Sequence, residues 1–493
     1  MTAFAFDNSF VRELPGFYVA WPPDPVSTPV LLYFNAALAD RLGLALESCT
    51  SETLAALFSG KTLPDGAEPV AQVYAGHQFG HFSPRLGDGR ALLLGEVKDR
   101  HGQRYDLGFK GSGRTPYSRN GDGKAAVGPM LREVLMGEGM QALGVPTTRA
   151  LAVVASGQPV YRDRVLPGAI LTRVAASHVR VGTFEYFAAR GEPDQVQRLA
   201  DYTLARHDPE ARLADNPYCE WLAGVTRRQA RLLAQWMNLG FIHGVMNTDN
   251  MSLAGETLDY GPCAFMEAYD PDTVFSSIDA GGRYAYRQQP RIAVWNLARL
   301  AETLLPLLAV GRDTAIDRAN AILDSFAGHY QHHWLTLMQH KLGLNADPRQ
   351  AAVDRTLAED WLTLLQRQQV DFTLGFRRLA AVLQGQPQAL QALFQQPEIL
   401  QDWLTRWQQR AETVDAPLAS RIQMMNAANP WIIPRNHQVE AALTAASDQG
   451  DTKPFERLLA ALRHPYEESP AHAAWAEPAP AGYTARYQTF CGT

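Results

Sequence analysis

A chain of 493 residues with 46% hydrophobic and 19% charged residues has material for a large buried core and exceeds one ordinary domain. Its formal net charge of −6 argues against a general nucleic-acid binder, which carries a basic stripe, but leaves room for a local Arg and Lys pocket. Residues 1–14 lack a basic stretch leading into an apolar run, and the most apolar segment, 292–310, is broken by Arg299, Glu302 and Pro306. The four cysteines (Cys49, Cys219, Cys263 and Cys491) form no C-x-x-C pair, so a zinc site and a disulfide scaffold are disfavoured. A cytoplasmic monomer with no membrane or nucleic-acid partner is the expectation.

In chain order, residues 1–80 mix short apolar segments with Pro-rich turns such as Trp21-Pro22-Pro23-Asp24-Pro25. They read as an N-terminal extension packed on the first lobe. Arg85-Leu86-Gly87-Asp88-Gly89-Arg90 then leads into an apolar strand at 91–97. Two glycines separated by one residue let backbone amides approach a phosphate, although an ordinary hairpin turn has the same pattern. Residues 104–110 alternate cleanly: Tyr105, Leu107 and Phe109 share one face, and Asp106, Gly108 and Lys110 the other. Lys110 is either a phosphate-binding lysine or a solvated strand end.

The glycine-rich stretch 111–124 is not a Walker A loop, since Ser118 and Ala125 occupy positions that require Gly and Ser or Thr. It reads as a mobile, polar flap beside Lys110. A helix is expected from Pro129, with Leu131, Val134 and Leu135 as its stripe and Glu133 off it, either holding Lys110 or simply exposed. Residues 150–155 and 169–174 read as further strands, with Thr172 between Ile170 and Val174, and Arg173 opposite. Arg173 and Arg180 are candidate phosphate clamps, with salt-bridge duty as the alternative.

After residue 220 helices dominate. Thr226 and Gln229 have capping-box spacing ahead of Leu232, Leu233, Trp236 and Met237, and a second stripe from Val294 is expected to stop at Pro306. Helices continue to about Arg463, and the Pro-rich tail from His464 reads as extended and poorly packed. The fold class expected is α+β in two lobes, sheet-rich then helical.

His243-Gly244-Val245-Met246-Asn247-Thr248-Asp249-Asn250, followed by Asp259-Tyr260-Gly261, carries the chemistry. The kinase catalytic loop H-x-D-x-x-x-x-N aligns on His243, placing the metal-binding asparagine at Asn250 and the downstream metal aspartate at Asp259. The catalytic aspartate falls on Val245, which cannot take a proton from an attacking hydroxyl. Asn250 and Asp259 keep the hard oxygens that Mg²⁺ prefers, and Asp249 is a substitute base. His77 and His81 stand four apart but lack the H-E-x-x-H glutamate and read as structural. Residues 429–436 read as a packed turn, with an Arg and Asn reaching toward a substrate as the alternative.

On Tyr74-Ala75-Gly76-His77-Gln78-Phe79-Gly80, Gly111-Ser112-Gly113-Arg114-Thr115-Pro116-Tyr117-Ser118-Arg119, residues 243–250, Asp259-Tyr260-Gly261-Pro262-Cys263 and the terminal cysteine, the chain resembles the selenoprotein O family of pseudokinase-like protein adenylyltransferases. The resemblance, which runs over nearly the whole length, implies a kinase-like N-lobe at 81–180, a C-lobe at 181–345, a helical region at 346–463 and a tail at 464–493. It implies ATP bound in an orientation flipped relative to kinases, with Mg²⁺ or Mn²⁺, and AMP transferred to Ser, Thr or Tyr hydroxyls of proteins. Gly87, Gly89, Arg90, Lys110, Asp122, Gly123, Arg173 and Arg180 match the family's nucleotide positions, with Asp259 also touching the nucleotide. Asp249 matches its base, Asn250 and Asp259 its metal ligands, and Glu133 the partner of the lysine. Many eukaryotic relatives carry selenocysteine near the C-terminus, where this chain has Cys491. A reversible Cys263–Cys491 disulfide, with the tail folded back on the active lobe, is therefore expected, against two unpaired thiols in a reducing compartment. An atypical kinase and a non-catalytic ATP-binding pseudokinase are the alternatives.

Overall fold

The computed structural model describes residues 4–414 and 416–490. Among them, β-branched and aliphatic runs form one mainly antiparallel sheet of eight strands, and most of the remaining chain is helical. In chain order the strands are β1 (Tyr18–Ala20), β2 (Val30–Phe34), β3 (Val70–Gln72), a separate hairpin of β4 (Gly76–Gln78) and β5 (His81–Ser83), then β6 (Ala91–Lys98), β7 (Arg104–Lys110), β8 (Ala125–Ala126), β9 (Arg149–Tyr161) and β10 (Val165–Ala175). The sheet order is β1-β3-β6-β7-β10-β9-β2, with β8 on the flank of β10. Residues before 80 thus supply three strands of the sheet.

The register fixes the centre of the molecule. Lys110, at the end of β7, lies opposite Ala91 on one side and Leu171 on the other. Leu107 and Phe109 point to a core filled by Phe4, Leu38, Leu54 and Phe58 from the N-terminal segment. The opposite face packs on the Val127–Ala142 helix, whose Met130, Leu131, Val134 and Leu135 are fully buried. That second core continues into the Pro217–Leu239 and Gln289–Leu308 helices, and a third gathers Trp361, Trp403 and Trp407 farther along the chain. No helix among the described residues is long and apolar enough to cross a membrane.

Three expectations are corrected. The pair Thr226 and Gln229 does not begin a helix, because the Pro217–Leu239 helix starts well before it, capped by Asn216 with Pro217 in the first turn. Thr226 instead donates to Leu222 O and Gln229 reaches Ser252 O. Pro306 lies inside the Gln289–Leu308 helix rather than ending it; so close to the C-terminus it forfeits little beyond its own missing donor. The tail from His464 is packed: Ala473–Ala476 forms a short helix, Arg435 donates to Ala476 O, and Thr489 hydrogen-bonds to Pro262 O and Phe275 O. Its prolines shape turns against the surface rather than holding an extended strand.

Candidate functional site

A cavity of about 980 Å³ opens between the sheet and the loop that follows the Pro217–Leu239 helix. β7 delivers Lys110 to its floor and the Val127–Ala142 helix delivers Glu133, whose Oε1 accepts from Lys110 Nζ at 2.6 Å. Lys110 also donates to Asp259 Oδ1 at 2.6 Å. Arg173, from β10, lies 3.2 Å from Glu133 Oε2 and 3.6 Å from Asp259 Oδ1. Lys110 and Glu133 are buried, so neither is a solvated surface charge. Burial opposes ionisation of Asp259, but Lys110, a hydrogen bond with Glu133 and then Arg173 outweigh it and hold the carboxyl well below the usual range.

The opposite wall is the loop 243–250. Gly240 ends the preceding helix in the left-handed region (φ 72°), and the pairing of β11 (Phe241–Ile242) with β12 (Ala264–Phe265) sets the loop's course. Asn250 Nδ2 donates to Val245 O at 3.1 Å, which leaves the amide oxygen as the end available to a cation. Asp249 is buried and its Oδ1 has no hydrogen-bond partner among the described residues. Burial pushes its carboxyl up to about 6, against the pull of Arg180.

The loop is held from outside by the β4–β5 hairpin. His77 N donates to Thr248 Oγ1 (2.7 Å) and Phe79 N to Asn247 Oδ1 (3.0 Å), while Thr248 and His77 both bond to the buried carboxylate of Glu185. Gly76 closes over Asp249: a Cβ there would lie 2.6 Å from Asp249 Oδ1. His77 thus braces the loop through Thr248 and Glu185, and among the described residues no cluster of three or more His, Cys, Asp or Glu side chains could hold a metal ion. The donor set nevertheless suits a hard cation, since Asp259 offers an ionised carboxylate and Asn250 an amide oxygen in the same cavity lining.

Arg180 stacks 4.3 Å over the Tyr74 ring, donates to Asp249 O at 3.0 Å, and faces Asp88 at 3.9 Å. Gly87, Gly89 and Arg90 line the cavity, as do Asp122 and Gly123. The amides of Gly87, Asp88 and Gly89 already donate to Tyr74 O, Gln72 O and Gly87 O, so an open cradle of amides is not what the glycines provide. They make room for Tyr117: a Cβ on Gly87 would lie 2.3 Å from its ring, and one on Gly89 2.9 Å from its carbonyl. Asp122 is paired with Arg162 at 2.9 Å. The stretch 111–124, expected as a mobile flap, is anchored by Thr115 and Ser118 donating to Asp88 O and Gly89 O; only its tip, 119–121, with Arg114, stands exposed.

Sequence reasoning left Tyr74, Asp88 and Glu185 unassigned. Tyr74 and Asp88 sit within motifs that the sequence singles out, but nothing in spacing shows that they brace Arg180. The turn at 429–436 is packed, with Arg435 fully buried against Glu267 and Asp371 and Asn436 bonded to Phe265 O. Cys263 is buried, its thiol pushed up to about 12 by burial, and the chain at Thr489 runs beside its neighbour Pro262. Cys491, and with it the Cys263–Cys491 pairing, lies outside the described residues.

The family described as protein adenylyltransferase SelO matches residues 1–463. The chain is 56% identical over 491 residues to the protein nucleotidyltransferase YdiU of Cereibacter sphaeroides (strain KD131 / KCTC 12085), covering 99% of this chain and 100% of that one. Identity to the YdiU proteins of Rhizobium meliloti (strain 1021) and Chromobacterium violaceum (strain ATCC 12472) is 53% over 495 residues and 55% over 481, covering 100% and 97% of this chain and the whole of each relative. By family and by near end-to-end identity, this chain belongs to the SelO family and is a nucleotidyltransferase.

Proposed function

We propose that the chain transfers AMP from ATP to Ser, Thr or Tyr hydroxyls of proteins, in a two-lobed, kinase-like arrangement with 81–180 as N-lobe and 181–345 as C-lobe. The observation that carries this reading is that one cavity lining holds Lys110, Arg173 and Arg180 together with Asp249. Lys110 and Arg173 both meet Glu133, while Asp249, with one carboxylate oxygen unpartnered, lines the same cavity as Val245, which offers no base. Lys110, Arg173, Arg180 and Arg90 would grip the phosphates, and Asp249 would take the proton of the acceptor hydroxyl as its oxygen bonds to the α-phosphorus. The bond from the α-phosphorus to the bridging oxygen breaks, and pyrophosphate leaves with the electron pair beside the cations. Asn250 and Asp259 would hold Mg²⁺ or Mn²⁺, which supplies further neutralisation of phosphate charge.

ATP labelled separately at the α and γ positions tests this. Label retained on protein from α alone is expected; retention from γ alone would mean a kinase, and from neither an ATP-binding scaffold. Asp249→Asn is expected to lower kcat by ~10²–10⁴-fold, the usual weight of a general base, with nucleotide affinity nearly unchanged. A variant with wild-type turnover would remove Asp249 from the mechanism.

A further inference from the structure

The β4–β5 hairpin that holds the Asp249 loop on its inner edge has an exposed outer edge of His81, Phe82, Pro84 and Arg85. Around that edge stand three guanidinium groups with no carboxylate partner among the described residues: Arg85, Arg190 and Arg283. Each is instead laid over an aromatic ring: Arg85 5.8 Å from the Tyr117 centroid, Arg190 3.4 Å from Tyr186, and Arg283 4.8 Å from Trp295. Stacking fixes a guanidinium in place without neutralising it. Elsewhere in the fold the buried arginines Arg206, Arg410 and Arg435 each meet a carboxylate. In a chain of net charge −6, three arginines without an ion pair among the described residues gather beside one hairpin, where the nearby carboxylates of Glu185 and Asp279 are already engaged by His77, Thr248 and the amides of Arg283 and Tyr284.

The patch is continuous with the cavity. Tyr117 and Phe79 belong to the cavity wall, Phe79 packs 5.0 Å from Tyr284, and Arg283 also lies over Tyr284. Phe82, 41% exposed, adds an apolar spot beside His77, whose ring also meets Trp295. Ile278 lines the cavity as well and is 56% exposed.

We infer that this patch docks the acceptor protein and selects an acidic segment, one whose hydroxyl residue is flanked by Asp or Glu with an apolar side chain for Phe82. The inference rests on the proposed transfer to protein hydroxyls and narrows its substrate class. Charges at the rim of a docking site steer encounter and choose between partners, more than they add raw affinity.

The test uses the full chain and two fluorescent peptides of equal length with one central tyrosine, one flanked by glutamates and the other by lysines. Anisotropy is expected to show the acidic peptide binding at least ~10-fold tighter at low salt, with the preference collapsing near 1 M salt, where the screening length is about 3 Å. The double variant Arg85→Glu/Arg190→Glu, both exposed, is expected to lose the preference while binding ATP as wild type does. Equal affinity for the two peptides, or a preference that survives in the double variant, overturns the inference, as does capture on phosphatidylserine vesicles without binding of the acidic peptide. Anisotropy reads docking whether or not AMP moves, so a failed α-label experiment with the preference intact sinks the proposed transfer alone.

Discussion

Lys110 was legible up to a point. Alternation along 104–110 places it on the polar face of its strand, and that is where it lies. What alternation cannot say is that this face is interior, because the helix and loop that cover it come from Glu133 and Asp259, 23 and 149 residues away. His243 is a similar case: it anchored the motif alignment, yet its burial came only with the fold. Burial holds its imidazole down to about 4, against an ordinary value of 6.5. Between those values the unfolded chain takes up a proton that the folded chain refuses, so this group's contribution is intact above about pH 6.5 and is lost as pH falls toward 4. The loss between pH 7 and pH 5 is about 2 kcal/mol. Urea unfolding of wild type and His243→Gln at the two pH values should show that much less acid sensitivity in the variant. Parallel pH dependence of the two proteins would show that His243 protonates freely in the fold.

At the scale of elements, strands were read better than helix ends. The four longest strands were found within a few residues, apart from the extension of β9 to Tyr161, past Gly157 and Pro159, residues that are uncommon inside strands. Helix starts failed where two signals competed. Thr226 and Gln229 have the spacing of a capping box, but Asn216-Pro217 marks the true beginning, with Asn216 Oδ1 accepting from Cys219 N at 2.9 Å. Asn216 also ties two helices together, since its Nδ2 donates to Leu307 O and Leu308 O at 3.1 and 3.0 Å. Asn216→Ala should therefore cost about 2 kcal/mol, the upper end for a cap, and Asn216→Ser about half of that, because serine restores the cap acceptor but not the bonds to the second helix. Denaturation midpoints decide it: equal losses in the two variants would mean that the cap contributes nothing.

The whole molecule is where the sequence was least informative. Composition and the order of strands and helices implied α+β, but not that the first 80 residues build into the sheet, and the folding back of the C-terminal tail was expected from the family resemblance alone. Prolines at 465, 470, 478 and 480 signal an absence of regular structure, which is a statement about backbone pairing and not about packing. The tail's last described turn makes the point testable. Thr489 N donates to Phe275 O, Ser277 N donates to Thr489 O, and Thr489 Oγ1 donates to Pro262 O at 2.7 Å. These bonds clip the segment after Asp259 from outside, whereas the earlier part of the tail satisfies Arg435 and Glu267 in the interior. A chain ending at Tyr483 should keep its fold, because those interior partners remain, but the Ser277 amide loses its acceptor. Hydrogen exchange there is expected to accelerate ~10-fold or more, while amides of the Pro217–Leu239 helix keep their protection. A chain ending at Arg463 should instead lose stability throughout, since it leaves buried Arg435 without Ala476 O and Glu267 without Ala479 N. Unchanged exchange at Ser277 in the shorter truncation would mean that the segment after Asp259 holds its shape alone, with the tail a passive cover.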